Sequence, residues 1–95
     1  MSITAQEALN NVHAQWINEA IDKYPKEIEA LDKEIEKVSI EGDRSVRIED
    51  YLRANGFNVP DEYDLMSLKR YFMAKGFETK EFIGLNYYKY SYISW

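Results

Sequence analysis

The sequence predicts an α+β domain in which a long N-terminal helix and a second helix pack on one face of a small three-stranded sheet. Two observations lead to this fold class. Apolar residues recur at helical spacing over residues 1–41 and again over about 62–75, and the residues after Gly76 are rich in aromatic and β-branched side chains. The 95 residues are expected to form one domain, with an acidic helical segment at 1–41 and a strand, helix and hairpin segment at 44–95.

The first helix is predicted to begin near residue 4. Thr4 and Glu7 have the spacing of a capping box, and apolar residues then recur at alternating steps of four and three residues. This is the spacing of a helix that packs along one stripe against another element, with its charged residues on a solvated face. The stripe, called the seam below, consists of Ile17, Ile21, Tyr24, Ile28, Leu31, Ile35 and Val38.

Pro25 lies inside the seam, and a proline within a helix costs about 3 kcal/mol because it removes a hydrogen bond and clashes with the preceding turn. The unbroken spacing across Pro25 and the lack of a capping residue at position 24 favour a continuous helix with a kink. The alternative is a helix that ends near Tyr24 and restarts at Pro25 as a helical hairpin. Gly42 is predicted to end the helical segment.

The middle of the chain alternates polar and apolar residues from Ser45 to Glu49, which predicts a strand at about 44–49 and then a short helix at about 49–54. A helix that begins at Ser45 is the alternative. A loop around Asn55-Gly56 follows, and the next helix is predicted at about 62–75.

The C-terminal residues predict a hairpin, with strands Phe77–Ile83 and Tyr87–Trp95 joined by a turn at Gly84-Leu85-Asn86. Alternation along the last strand separates two faces. Ile93 and Trp95 are expected to face the core. The opposite face would carry Tyr88, Tyr90 and Tyr92.

A winged-helix arrangement is a further alternative, with helices near 45–54 and 61–75 and the hairpin as the wing. The second of these helices would then be the recognition helix and would carry Lys69, Arg70 and Lys75. Its first turn contains acidic residues, which repel phosphate, and this argues against DNA reading by that helix.

The residue types argue against an enzyme. The chain has no cysteine and one histidine, His13, and its four glycines are isolated, so no thiolate site, metal cluster or phosphate loop is predicted. We expect no catalytic residues, no cofactor and no metal. No apolar run approaches the length of a membrane span and no signal peptide is recognised, so a soluble cytoplasmic protein is expected.

Net charge differs between the two segments. Residues 1–43 carry four lysines and ten acids, whereas residues 44–95 carry eight basic and seven acidic groups, for a total of −5. The overall negative charge disfavours nucleic-acid binding.

Two surfaces are candidates for binding. A short sheet covers about 15 to 20 Å of a helix that would be about 54 Å long, so the rest of the seam is expected to form a homodimer. The tyrosine strand is expected to bind a partner protein or, alternatively, to stack on bases of RNA or single-stranded DNA. Its candidate partner-binding residues are Tyr88, Tyr90, Tyr92, Lys89, Lys80 and Arg47.

Several segments together resemble small accessory proteins encoded by tailed bacteriophages. They are the long acidic N-terminal helix, Gly42 before the strand Ser45-Val46-Arg47-Ile48, the helix end Lys75-Gly76-Phe77, and the terminal Tyr92-Ile93-Ser94-Trp95. The resemblance implies a protein that acts in an infected bacterial cytoplasm. The predicted function is therefore non-enzymatic binding of a host bacterial protein, which is inhibited or redirected in host takeover or anti-defence. The alternative is a small RNA- or single-stranded-DNA-binding protein.

Overall fold

A computed structural model describes residues 2–58, 61–84 and 89–95, with Lys89 described by its backbone alone. It confirms the predicted α+β class. The three strands form one antiparallel sheet in the order β1-β3-β2. Within the described residues the elements are α1 (Ala5–Lys23), α2 (Pro25–Ile40), β1 (Ser45–Arg47), α3 (Ile48–Ala54), α4 (Glu62–Ala74), β2 (Glu78–Ile83) and β3 (Lys89–Ser94).

The beginning of α1 is as predicted. The Glu7 backbone N–H donates to Thr4 Oγ1 at 3.1 Å, and the Thr4 hydroxyl donates to Glu7 Oε1 at 3.2 Å. The first bond gives a partner to one of the backbone N–H groups that the first turn of a helix leaves without one. The second bond joins the two side chains.

The prediction of a continuous kinked helix across Pro25 is wrong. Tyr24 has φ −131° and ψ 47°, outside the helical region, and Pro25 is the first residue of a new helix. Proline costs little there because its missing N–H would have no partner in the first turn. The two helices also have different neighbours: α1 packs mainly along α4, whereas α2 packs against β1 and α3.

A contact from a distant part of the chain holds this corner. The Tyr24 hydroxyl donates a hydrogen bond to the carboxylate of Asp64 in the first turn of α4. Burial, the hydrogen bond to Asp64 and the negative charges of Asp64, Asp61 and Glu27 raise the pKa of Tyr24 to about 12. The neutral hydroxyl is therefore the form that the corner stabilises.

Most of the seam lies inside the chain. Ile28, Leu31 and Ile35 are buried, and Ile17, Tyr24 and Val38 pack against the same core. Ile21 is the seam residue that stays outside, with 48% of its surface exposed. The expectation that the seam overhangs the sheet as a self-association surface is thus wrong for its central residues, because the break at Tyr24 turns α2 onto β1 and α3. The homodimer itself stays a prediction, since the structure describes a single chain.

The stretch after Gly42 follows the leading prediction of a strand and then a short helix, and the alternative of a helix that begins at Ser45 is wrong. The strand β1 is shorter than predicted and ends at Arg47, and a helix begins at Ile48. Gly42 has φ +96°, a left-handed conformation that favours glycine and ends α2 as predicted.

The helix α4 and the hairpin also match the prediction closely. The Asp61 carboxylate accepts a hydrogen bond from the Asp64 N–H at 2.9 Å, which caps α4. In the hairpin, Glu78 pairs with Ser94 at one end and Ile83 with Lys89 at the other. Leu85 and Asn86 of the predicted turn Gly84-Leu85-Asn86, and Tyr87 at the predicted start of the last strand, lie outside the described residues.

The order of elements from α2 to β3 is helix, strand, helix, helix, strand, strand, with β3 between β1 and β2. This is the arrangement that the winged-helix alternative requires, and α1 is an additional helix laid along α4. The core is formed where α2, α3 and α4 meet the inner face of the sheet, around Leu31, Leu52, Phe72 and Ile93, each fully buried.

Candidate interaction surface

The two faces of β3 separate as predicted. Ile93 is fully buried and Ser91 has 1% of its surface exposed, so these residues face the helices. Trp95 packs against the core, and its ring meets that of Phe77 edge-on with the centroids 6.2 Å apart. By alternation Tyr90 and Tyr92 point to the outer face, where both are half-buried.

The register brings side chains from all three strands together on the outer face. Tyr92 lies opposite Arg47 of β1 and opposite Lys80 of β2, and Tyr90 lies opposite Phe82. Residues directly opposite in antiparallel strands share a face and lie about 5 Å apart. We call the resulting surface the tyrosine face; it consists of Arg47, Lys80, Phe82, Tyr90 and Tyr92.

Arg47 lies against both tyrosine rings. Its Cζ atom is 5.3 Å from the ring centroid of Tyr90 and 5.5 Å from that of Tyr92. Its Nη1 donates to Asp50 Oδ2 at 3.1 Å, a bond that raises the pKa of Arg47 and keeps the guanidinium charged. Asp50 lies in the first turn of α3, because the helix begins immediately after Arg47. The guanidinium therefore contacts both tyrosine rings and Asp50 within the chain itself.

An aromatic contact extends the tyrosine face across the sheet to β2. The rings of Phe82 and Tyr92 meet edge-on, with centroids 5.8 Å apart, and Phe82 is 63% exposed. Beside them is an open hollow of about 310 Å³, lined also by Lys80 and by the hydroxyl-bearing Ser45 and Ser94. The hollow can bind a side chain that contains both apolar and polar atoms, because its lining offers aromatic rings as well as hydroxyl groups.

A buried carboxylate supports this surface from below. β1 ends opposite Tyr92, so no residue of β1 pairs with Ser91. The Ser91 N–H instead donates to Glu49 Oε2 at 2.8 Å, and Glu49 is only 7% exposed. The carboxylate thereby continues the hydrogen bonding of the short strand. It fixes the backbone of β3 between the two tyrosines that form the outer face.

Each cation of the tyrosine face has a carboxylate nearby. Arg47 is paired with Asp50, and Lys80 Nζ is 3.9 Å from Glu78 Oε2. Both pairs are solvent-exposed and contribute little to stability. Their effect on recognition is larger, because a phosphate would have to compete with a neighbouring carboxylate for each cation. This arrangement suits a protein surface better than a nucleic-acid backbone.

The structure thus brings together four of the six predicted binding residues: Arg47, Lys80, Tyr90 and Tyr92. Tyr88 lies outside the described residues. Lys89 pairs with Ile83 through its backbone, and its side chain is also outside the description. The sequence interpretation missed Phe82 and Asp50. Phe82 shares the parity of Lys80 along β2, which would have identified it once the strand order was known.

The basic residues of α4 make contacts within the chain. Lys69 is 5% exposed and forms an ion pair with Glu81 of β2. The guanidinium of Arg70 lies 5.4 Å from the ring centroid of Trp16, and Lys75 Nζ lies 5.7 Å from that of Tyr71. Together with the acidic first turn, these contacts make α4 unlike a helix that reads base edges, although the order of elements is that of a winged helix.

Within the part of the chain that the structure describes, no group of three acidic or histidine residues is placed to hold a metal ion. Among the same residues, none of the helices has the length and apolar character needed to cross a membrane. Comparisons with protein-family models, with curated proteins and with solved structures found no match to this chain.

Proposed function

We propose that this chain is a non-enzymatic binding protein that holds a partner protein against its tyrosine face. The observation that carries the proposal is the geometry of Arg47, whose guanidinium lies against the rings of Tyr90 and Tyr92 and is fixed by Asp50. Tyrosine and arginine are the residue types in which binding energy concentrates at protein interfaces. A surface already ordered in the free protein loses less conformational entropy when the partner binds.

The proposed partner is a host bacterial protein that the chain inhibits or redirects. This part of the proposal rests on the resemblance to small accessory proteins of tailed bacteriophages, which implies action in an infected bacterial cytoplasm. Host takeover or anti-defence is the corresponding role. A protein that acts by blocking a host surface needs a binding face rather than catalytic groups, and the tyrosine face offers one.

The alternative partner is RNA or single-stranded DNA, which would stack bases on Tyr90 and Tyr92. The carboxylates next to Arg47 and Lys80 and the net charge of −5 favour a protein instead. The two alternatives differ in salt dependence. Affinity for nucleic acid falls steeply as salt rises, because binding releases counterions, whereas an aromatic protein contact changes little.

The test is a capture experiment from bacterial lysate with nuclease treatment. Immobilised wild type would be compared with Tyr90→Ala and with Tyr63→Ala, a control in which a tyrosine 88% exposed on α4 is removed. We expect a host protein that wild type and Tyr63→Ala retain and that Tyr90→Ala loses. With the purified partner, Tyr90→Ala should weaken binding by about 2 kcal/mol, roughly thirtyfold, with little change in unfolding free energy.

Two outcomes would contradict the proposal. Retention of every captured protein by Tyr90→Ala would place binding elsewhere on the molecule. Capture that disappears after nuclease treatment, with an affinity that falls steeply between low and physiological salt, would establish the nucleic-acid alternative.

A further inference from the structure

A second concave surface lies on the helix side of the molecule, where α1 passes over the end of α4 and the start of β2. It encloses about 480 Å³, within the range of ligand sites in proteins. We call it the helix groove. It is lined by Leu9, His13, Trp16, Met73, Phe77, Glu78, Thr79 and Lys80.

The apolar lining of the helix groove is exposed because α1 extends beyond the core. Its one buried residue, Ala20, lies in the last turn, and none of the preceding residues of α1 is buried. Leu9 is therefore 45% exposed, and Met73 on the facing side of the groove is 44% exposed. Methionine adapts to irregular apolar shapes and is common at surfaces that bind peptides.

A positive charge lies next to the helix groove. Arg70 is exposed and its guanidinium stacks on Trp16, a lining residue. Among the described residues no carboxylate lies within ion-pair distance of that guanidinium. Arg47 of the tyrosine face, in contrast, is paired with Asp50. Glu78 is the acidic residue of the groove lining, and Lys80 lies 3.9 Å from it. The charge that remains is that of Arg70, in a chain whose net charge is −5.

We propose that the helix groove binds an amphipathic helix of a partner protein, with apolar residues in the groove and a carboxylate on Arg70. Charge complementarity selects an acidic partner, because the fork of a guanidinium matches a carboxylate in two hydrogen bonds. A helix is favoured over an added strand, since the neighbouring edge strand β2 carries Glu78, Lys80 and Glu81, charges of the kind that oppose strand pairing. Apolar side chains at helical spacing are the usual occupants of such a groove.

The test uses two synthetic peptides of about 18 residues, long enough to form helix in solution. Both carry the same leucine stripe; one has glutamates beside it and the other has lysines. Each peptide is labelled with fluorescein, and its binding to the full chain is measured by fluorescence anisotropy. We expect the glutamate peptide to bind and the lysine peptide to bind at least about tenfold more weakly, a difference of about 1.4 kcal/mol.

Variants of α4 test whether the peptide binds in the groove or elsewhere on this helix. Met73→Gln, which removes an apolar contact without adding charge, should weaken binding of the glutamate peptide about tenfold. Met66→Gln is the matched control, because Met66 lies on the same helix with nearly the same exposure, 43%, and does not line the groove. Arg70→Gln should reduce the preference for glutamate over lysine to about threefold or less. Circular dichroism would confirm that each variant is folded.

Several results would overturn this proposal. They are an absence of saturable binding by wild type, equal losses for Met73→Gln and Met66→Gln, or a preference for glutamate that survives in Arg70→Gln. A wild type that sediments as a dimer and becomes monomeric in Met73→Gln would assign the groove to a second copy of the chain. Tyr90→Ala should bind the peptides normally, so failure of the groove and failure of the tyrosine face are distinguishable.

Discussion

Apolar side chains follow a regular pattern both in the seam of α1 and α2 and in the tyrosine strand β3. The two regions differ in how much of that pattern the fold buries. Leu31, at the centre of the seam, is fully buried by β1 and α3. In β3 only the residues around Ile93 are covered, and Tyr90 and Tyr92 remain half-buried on the outer face. A periodic pattern identifies a side that can pack. Whether that side becomes core or interface depends on whether the fold brings another layer to it.

The largest effect is expected from truncation of the seam. Leu31→Ala should lower the free energy of unfolding by about 3 kcal/mol, the cost of a cavity at a fully buried leucine. Ile21→Ala, at a seam position 48% exposed, should cost less than about 1 kcal/mol. Urea denaturation measures both. Equal losses for the two variants would contradict the conclusion that Leu31 is buried and Ile21 exposed. An unfolding free energy that rises with protein concentration would instead support the predicted homodimer.

A smaller effect is expected at the contact that joins the interior to the tyrosine face. Glu49→Ala leaves the Ser91 N–H without its acceptor and should lower the unfolding free energy by about 1 to 3 kcal/mol. Glu49→Gln keeps an acceptor oxygen at the same place and should lose less. Amide hydrogen exchange should show faster exchange at Ser91 in the alanine variant. If Ser91 exchanges at the same rate in all three proteins, Glu49 does not hold the strand.

Features that depend on neighbours in sequence could be predicted. The cap at Thr4, the bounds of α4, the hairpin and the core side of β3 all follow from spacing over a few residues. The same is true of Tyr90 and Tyr92, which alternation places on one face. Arg47 and Lys80 were identified as candidates because their strands were expected to be neighbours.

Features that depend on distant residues could not be predicted. The corner at Tyr24 uses Asp64, 40 residues away, and the end of β1 is completed by Glu49 with Ser91, 42 residues away. Phe82 joins the tyrosine face through the register of β2 on β3, which pairs it with Tyr90. The helix groove requires the position of α1 on α4, a contact between distant segments that local spacing does not show. The local sequence pattern therefore predicts the helices and strands, whereas the contacts between them determine which apolar surfaces remain exposed.

The smallest effect is expected at the corner that divides the seam. Pro25 occupies the first position of α2, where its ring presets the backbone angle and its missing N–H has no role. Pro25→Ala should therefore lower the unfolding free energy by about 0.4 to 1 kcal/mol, because alanine gives the unfolded chain more freedom. Lys26→Ala, one residue further along the same turn, is the control and should change little. Urea denaturation of the three proteins is the measurement. A rise in stability for Pro25→Ala would mean that a lost hydrogen bond had been restored inside a continuous helix, and would contradict the break between α1 and α2 at Tyr24.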